Sequence, residues 1–397
     1  MDRVIEIKPK RKIHHKKYSF QFLPTLLEEI SKFKTIKYKN GNLKSAYLID
    51  IIHNLLLRYY FKKENSFNLS SLILKEKYGH RYNYYINYLT ENNLLILIKN
   101  HVKGKNSRVY KLNDNIIKEE IKRYKNCDNI LLKKSKTFID TEERSNILPE
   151  IKAKLIKDLY FVEIDFQKSI FYLDSTNPEN DVYNKNKYIV ESIHGNHIFY
   201  HFDAYGRMHT NFTILKSYIR KNCLLIGGEE TFEMDIKNSQ PLFLYKLICD
   251  NDTIIVDPNE LELFKSLTIS GDFYQYVIDK SGLQMSKRDI KELVYKVLFG
   301  RNYNTKSDRL FLNMFPTIHA FIKAYKVEMG DYRKMAYDLQ RAETNLIFNK
   351  IIKKIMDLYP EINLITVHDS IICSKKHKDV VEIIFDKILK EEFEVKI

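Results

Sequence analysis

Two aspartates sit where a structural carboxylate is costly. The first, Asp235, belongs to Thr231-Phe-Glu-Met-Asp-Ile-Lys-Asn-Ser-Gln-Pro241. There Phe232, Met234 and Ile236 alternate with Thr231, Glu233 and Asp235, the period of two expected of a strand with one face in a core. Asp235 therefore falls on the polar face, near the strand's end. The second, Asp369, interrupts Ile362-Asn-Leu-Ile-Thr-Val-His-Asp-Ser-Ile-Ile372, a largely apolar, β-branched run broken mainly at His368-Asp369-Ser370. An unpaired carboxylate in such a run needs a cation, a donor network or a turn that exposes it. Two such aspartates meeting on one sheet would hold divalent metal.

The elements around these carboxylates carry their own signals. Lys287 to Phe299 reads as a helix, with Ser286 and Asp289 at capping-box positions and Gly300 suited to a left-handed stop. Ile290, Leu293, Val294, Val297 and Leu298 form its core stripe. Lys287, Lys291, Tyr295 and Phe299 step four residues at a time along another face, presenting two cations and then two rings. Cations of this kind neutralise a triphosphate and rings stack on a base; the same stripe is equally a surface lysine pair with two half-buried aromatics. Asp203-Ala-Tyr-Gly-Arg207, taken alone, reads as a turn with a solvated salt bridge.

Composition narrows the classes. The chain has 397 residues, enough for two or three domains, and with 44% hydrophobic residues but only 11 Gly and 8 Pro it reads as helix-rich with few long linkers. Its 66 basic and 51 acidic residues give a net charge of +15, which favours a polyanionic partner, nucleic acid first; Lys-, Asn- and Ile-rich coding bias gives the same excess. Cys127, Cys223, Cys249 and Cys373 form no C-x-x-C pair, so neither a disulfide framework nor a zinc site is indicated, and a reducing, cytoplasmic setting fits. No apolar run reaches the roughly 18 residues of a membrane span, and the N-terminus lacks a signal-peptide core.

In chain order, residues 1–19 form a basic arm able to meet phosphates, or a solvated tail. Residues 20–115 read as short helices (Ala46 to Tyr60, Leu69 to Lys77, His80 to Asn92) followed by strands at Leu94 to Ile98 and Arg108 to Leu112, joined by a basic turn. This order resembles a winged-helix module. It would put Arg81, with Tyr82, Asn83 and Tyr85, on the recognition helix and Lys103, Lys105 and Arg108 on the wing, as DNA contacts or as part of a protein-interaction surface. Residues 116–197, with helices at Ile116 to Tyr124 and Ile151 to Leu159 and a strand at Tyr160 to Phe166, read as a connector with room for a thumb-like helical element. Residues 198–397 carry the chemistry.

Over that last segment the motifs in order resemble the core shared by family A DNA polymerases and bacteriophage single-subunit RNA polymerases. Asp203-x-x-Gly-Arg207 is similar to the motif preceding the palm, and Arg220 follows as in the family's Arg-Arg-x-Phe stretch. Asp235 matches the first catalytic aspartate, and Lys291 with Gly300 the fingers helix. Leu310 to Pro316 resembles the segment after that helix, Gln340 to Lys350 the Gln-containing helix, and His368-Asp369 the last motif. The resemblance implies an α+β fold: a helix-rich right-hand polymerase core, with an antiparallel palm sheet and reduced helical fingers, plus the N-terminal winged-helix domain. It further implies a small, exonuclease-less DNA-directed DNA polymerase, a nucleotidyltransferase serving replication of a phage, plasmid or mobile element on primer-template DNA with dNTPs. Alternatives are a single-subunit RNA polymerase or primase-like enzyme, and a non-catalytic DNA-binding replication factor with a vestigial palm.

By the same resemblance Asp235, Asp369 and the backbone carbonyl near Ile236 would hold two Mg²⁺ ions, with Mn²⁺ as an alternative metal. Lys291 and Lys287 would meet the triphosphate, Tyr295 the sugar and Phe299 the base, while Arg207, Arg220 and His368 would bind the template or primer. Lys287 stands where the family has Arg, so a bidentate phosphate contact becomes a point charge, and Phe299 stands where it has Tyr. Gln240, five residues after the first aspartate, occupies the position that gates the sugar and favours deoxynucleotides; Ser370 after His-Asp favours the RNA enzymes.

Overall fold

The computed structural model describes residues 19–101, 107–131, 147–176, 179–282 and 284–393. The basic arm short of Ser19, and with it Lys103 and Lys105, lies outside the described residues. The fold is α+β, helix-rich with antiparallel sheets. Among the described residues no helix is long and apolar enough to cross a membrane. The chain forms two compact units, one from the described parts of Met1–Asp140, Tyr160–Phe199 and Thr210–Gly228, the other from those of Thr141–Leu159, Tyr200–His209 and Glu229–Ile397.

The first unit is built on the helix Ser45–Lys62, whose Leu48, Ile49, Ile52 and Leu56 are fully buried. A strand, Phe67–Leu69, then two helices, Ser71–Tyr78 and Tyr82–Glu91, then two strands, Leu95–Lys99 and Arg108–Leu112, follow in order. Arg108–Leu112 is the central strand, antiparallel to both others. Arg81 and Asn83 are exposed, whereas Tyr85 is in the core with its hydroxyl accepting from the Lys44 N–H at 3.2 Å. Tyr85 is therefore not a groove contact; it follows the buried face with Ile86 and Leu89.

One helix expected from the sequence is not there. Ile116 to Tyr124 divides into a short helix, Asp114–Lys118, and a strand, Ile121–Asn126, antiparallel to Ser19–Pro24. Glu119 and Glu120 end the helical turn, and pairing with a distant strand overrides the local helical pattern. The helix Asn180–His194 closes this unit's core, with Tyr188 stacked on Phe22 at 3.9 Å between ring centroids. The Val162–Ile164 strand pairs with Leu224–Ile226, and Asp165 caps the next helix, accepting from the Lys168 N–H at 3.0 Å.

In the second unit Glu229–Asp235 pairs antiparallel with Ser370–Ser374, which pairs in turn with Ile365–Val367. Four helices, Pro258–Ser270, Phe273–Ser281, Lys306–Met314 and Pro316–Glu328, pack through Phe264, Phe273, Phe311, Phe315 and Phe321, all at 1% exposure or less. Buried rings at such contacts add edge-to-face attraction to the area they remove from water. The helix Lys334–Thr344 widens into a π-helical segment, Asn345–Ile352, before Lys353–Leu358. Asp158, at the end of the helix Pro149–Asp158, fixes the approach to the last hairpin. Its carboxylate accepts from the Leu364 N–H at 2.9 Å and from Lys154 at 2.5 Å, and burial pushes its pKa up to about 6.

Candidate active site

The register of the second unit's sheet brings the two aspartates together. Asp235 stands opposite Ser370, and Ser370 also pairs with Val367, so His368 and Asp369 form a two-residue turn beside the end of the Asp235 strand. His368 takes a left-handed backbone, φ 55°, where such turns usually place Gly. That conformation costs a non-glycine residue some strain, which persists only when the surroundings hold it. His368 and Asp235 are exposed and Asp369 is half-buried. Among the described residues neither aspartate has a cation or hydrogen-bond donor as partner. The same residues contain no group of three or more His, Cys, Asp or Glu side chains spaced to hold a metal. The donor set is two neighbouring carboxylates without a countercharge, which suits Mg²⁺ bound by few protein oxygens together with substrate phosphates.

A third carboxylate lies near Asp369, and it is neutralised. Glu343, 2% exposed, accepts from Arg207 through Nε at 3.0 Å and Nη2 at 2.6 Å, from Ser239 Oγ at 3.0 Å and from Gln240 Nε2 at 2.6 Å. Burial raises its pKa, which Arg207 opposes and Asp369 reinforces. The Asp203 to Arg207 motif is the device that delivers the guanidinium. Asp203 Oδ1 accepts from the N–H groups of Tyr205 and Arg207, each at 2.9 Å, and Gly206 turns the chain at φ 89°. A Cβ on Gly206 would lie 2.9 Å from Thr344 Cγ2, so both the backbone and the packing require glycine. The turn expected from the sequence is present, but its arginine pairs with a buried glutamate and not with a solvated one. Gln240 belongs to the same network at 6% exposure, and its Oε1 has no partner among the described residues.

The helix Lys287–Phe299 has the capping box formed by Ser286 and Asp289 and the buried stripe expected of it. Gly300 departs from the expectation: at φ −75° and ψ 166° it is extended, not left-handed. Glycine is required there because a Cβ would lie 2.3 Å from the Lys296 carbonyl oxygen. On the other face Lys287 and Lys291 are exposed, while Tyr295 and Phe299 are half-buried with ring centroids 5.4 Å apart. Lys291 Nζ sits 5.7 Å from the Tyr295 ring and 6.0 Å from the Tyr274 ring. Burial, Tyr295 and the charge of Asp369 all raise the Tyr274 pKa, which puts this phenol within electrostatic reach of the His368-Asp369 turn.

Lys326 fixes the end of that helix. Only 3% exposed, it donates to the carbonyls of Val297 at 2.7 Å and Gly300 at 2.8 Å, and burial pushes its pKa down to about 8. Between that value and the ordinary lysine pKa near 10.5, the unfolded chain holds a proton that the folded chain lacks, so stability rises with pH across this window; below it the cost of burying the charge is fully present. Urea denaturation of the parent and Lys326→Met from pH 7.5 to 10 should show the parent gaining on the variant as pH rises. Parallel curves would remove the buried charge from the account.

Arg220, Arg81 and Arg108 belong to the first unit, and Arg108 is exposed. Arg220 is half-buried and donates to the Leu215 carbonyl at 3.2 Å. The second unit holds Asp235, Ile236, Gln240, Lys287, Lys291, Tyr295, Phe299, Arg207, His368 and Asp369. Two residues of this site escape a reading of the sequence: Glu343, one charge among many on a polar helix, and Tyr274, one aromatic among 28 tyrosines. The four-residue step from Gln340 to Thr344, whose hydroxyl donates to the Gln340 carbonyl at 2.6 Å, marks the helix but not which of its faces is buried.

No protein-family profile matches the chain, and no curated protein matches it. Among solved structures the chain is similar to the POL domain of Pol1 from M. smegmatis, solved in complex with DNA primer-template and dNTP, at 11% identity and a TM-score of 0.38. The match covers 58% of this chain and 53% of that one, about half of the polymerase domain's length.

Proposed function

We propose that the second unit is a template-directed nucleotidyltransferase core, acting as a DNA polymerase on primer-template DNA with dNTPs. The observation that supports this most is the pairing of Asp235 with Ser370, which sets Asp235 and Asp369 side by side without a countercharge. In this reading both carboxylates and the Ile236 carbonyl hold two Mg²⁺ ions, or Mn²⁺ in their place. When bound, such ions activate a primer 3′-hydroxyl and stabilise the entering and leaving oxygens of an in-line displacement. Lys291, with Lys287, neutralises the triphosphate. Tyr295 lines the sugar, Phe299 stacks on the nascent base pair, and Arg207 and His368 hold the strand end. Extension of a labelled primer-template with each nucleotide set in turn, with a no-primer control, tests the reading. Absence of extension with every set and metal would leave a DNA-binding replication factor in its place.

Ser370 keeps an RNA polymerase as the second reading, and Gln240 is where the two are separated. Its amide is tied to Glu343, which holds the side chain in one place, and a held side chain is a better steric gate than a mobile one. Gln240→Ala should admit ribonucleotides, raising their kcat/KM relative to dNTPs about tenfold for each 1.36 kcal/mol of clash removed. If the unmodified chain already prefers ribonucleotides in single-nucleotide incorporation, the RNA polymerase reading takes first place.

For the first unit we propose a winged-helix module that binds DNA. Its support is the order helix, strand, two helices, two strands, with the last strand central in the sheet, and the exposed cations Arg81 and Arg108. Reversing both charges should weaken duplex binding and lower the slope of log K against log salt by about one for each phosphate that is no longer neutralised. An unchanged slope would favour a protein partner for this face.

A further inference from the structure

The first unit has a cavity of about 720 Å³, bordered by Tyr59, Lys63, Lys185, Asn186, Lys216 and Arg220 among others. It gathers four cations, and no carboxylate lines it among the described residues. Lys185 is half-buried, with Nζ 5.1 Å from the centroid of the Phe61 ring. Its pKa is lowered by burial and by the charges of Lys216 and Lys63, so the cations are close enough to repel one another. Among the described residues none of Lys63, Lys185 and Lys216 is in an ion pair. A folded chain that crowds like charges without a counterion is stabilised by an anion that fills the space.

A second, separate feature concerns Asn186, 1% exposed on the wall of this cavity. Its Nδ2 donates to the Val182 carbonyl at 2.7 Å, while its Oδ1 is buried with no donor among the described residues. A buried acceptor left without a donor costs free energy that a ligand N–H or O–H would recover. Inorganic phosphate at neutral pH offers chiefly acceptors. A nucleotide offers both sets of groups, with phosphates for the lysines and an amino or hydroxyl donor on base or sugar for Asn186, and a cavity of this size holds one.

We infer that this cavity binds a nucleotide through its phosphates, with Lys63, Lys185, Lys216 and Arg220 as the anion cradle and Asn186 as the acceptor for its base or sugar. The nucleotide is either free or one residue of a single strand. The inference is independent of the catalytic reading of the second unit. The test is titration of the full chain carrying Asp235→Ala, in EDTA, with ATP, a labelled 12-residue oligothymidylate and inorganic phosphate as separate probes. ATP or the oligonucleotide should bind, and Lys185→Glu and Lys216→Glu should each weaken that binding about tenfold. Lys63→Glu, at an exposed position, should act in the same direction with no change in the fold. Loss with ATP alone identifies a free nucleotide, and loss with the oligonucleotide alone identifies a strand. Failure of the parent to bind either probe, equal affinities in parent and variants, or phosphate binding as tightly as ATP would overturn the assignment.

Discussion

Under the proposed function, Asp235→Ala and Asp369→Ala are expected to lower metal-dependent nucleotide incorporation by about 10³-fold or more, because each would remove one of the two carboxylates proposed to hold the metal. Neither change should unfold the protein. Asp235 is exposed at a strand end and Asp369 is half-buried in a turn, and no cation or hydrogen-bond donor among the described residues depends on either. In EDTA both variants should melt close to the parent temperature, since neither carboxylate has a hydrogen-bond or ion-pair partner to lose among the described residues. Adding Mg²⁺ should raise the parent's Tm and leave the variants' unchanged, because only a folded chain with both ligands gains from binding. Near-normal extension by both variants, or an equal Mg²⁺ shift in all three proteins, would show that the aspartates do not form the metal site.

Glu343→Ala is expected to have the largest structural effect of any single change near the site. It would leave the Arg207 guanidinium, 20% exposed, without the carboxylate it pairs with at 2.6 Å, and would orphan the Ser239 and Gln240 donors. Breaking a buried ion pair from one side costs about 3–5 kcal/mol, an amount visible in urea denaturation. Glu343→Gln keeps the shape and some acceptors and should cost less, about 1–3 kcal/mol. Replacing both partners, Arg207→Met with Glu343→Met, should recover the part of the loss that comes from the unpaired guanidinium, while the buried Ser239 and Gln240 donors stay without their acceptor. Under the proposed function it should not recover incorporation, because Gln240 loses the acceptor that tethers it. Wild-type stability in Glu343→Ala would mean that the network contributes little and that Gln240 is held by packing alone.

The chain's cations and acids are arranged differently at these two places. At Asp235 and Asp369 charge is left uncompensated at an accessible turn, whereas at Glu343 it is matched by a guanidinium and two further donors in a dry environment. A buried carboxylate is tolerated only when matched in this way. The unmatched pair is therefore the better candidate for a ligand-filled site, and the matched one for the scaffold that aligns it.

Much of this was legible in the residues because it is encoded locally. Alternation of Phe232, Met234 and Ile236 specifies a half-buried strand, Ser286 with Asp289 specifies a helix start, and the Asp203 to Arg207 spacing specifies a turn that needs glycine at its fourth position. Each signal lies within a few residues, where backbone geometry and side-chain reach leave few choices. Other features depended on distant partners. Ile121–Asn126 became a strand because Ser19–Pro24 pairs with it, and Gly300 proved necessary for a steric contact with Lys296, not for a left-handed turn. Tyr274 and Lys326 gained their roles only where helices from different parts of the chain met. Glu343 is the sharpest case, since its partner Arg207 is 136 residues away. Its own helix marks it as one more surface acid. Local sequence sets the period, the caps and the turns, but which charge is buried, and against what, is decided by packing that brings remote segments together and makes an unpaired charge too costly to leave there.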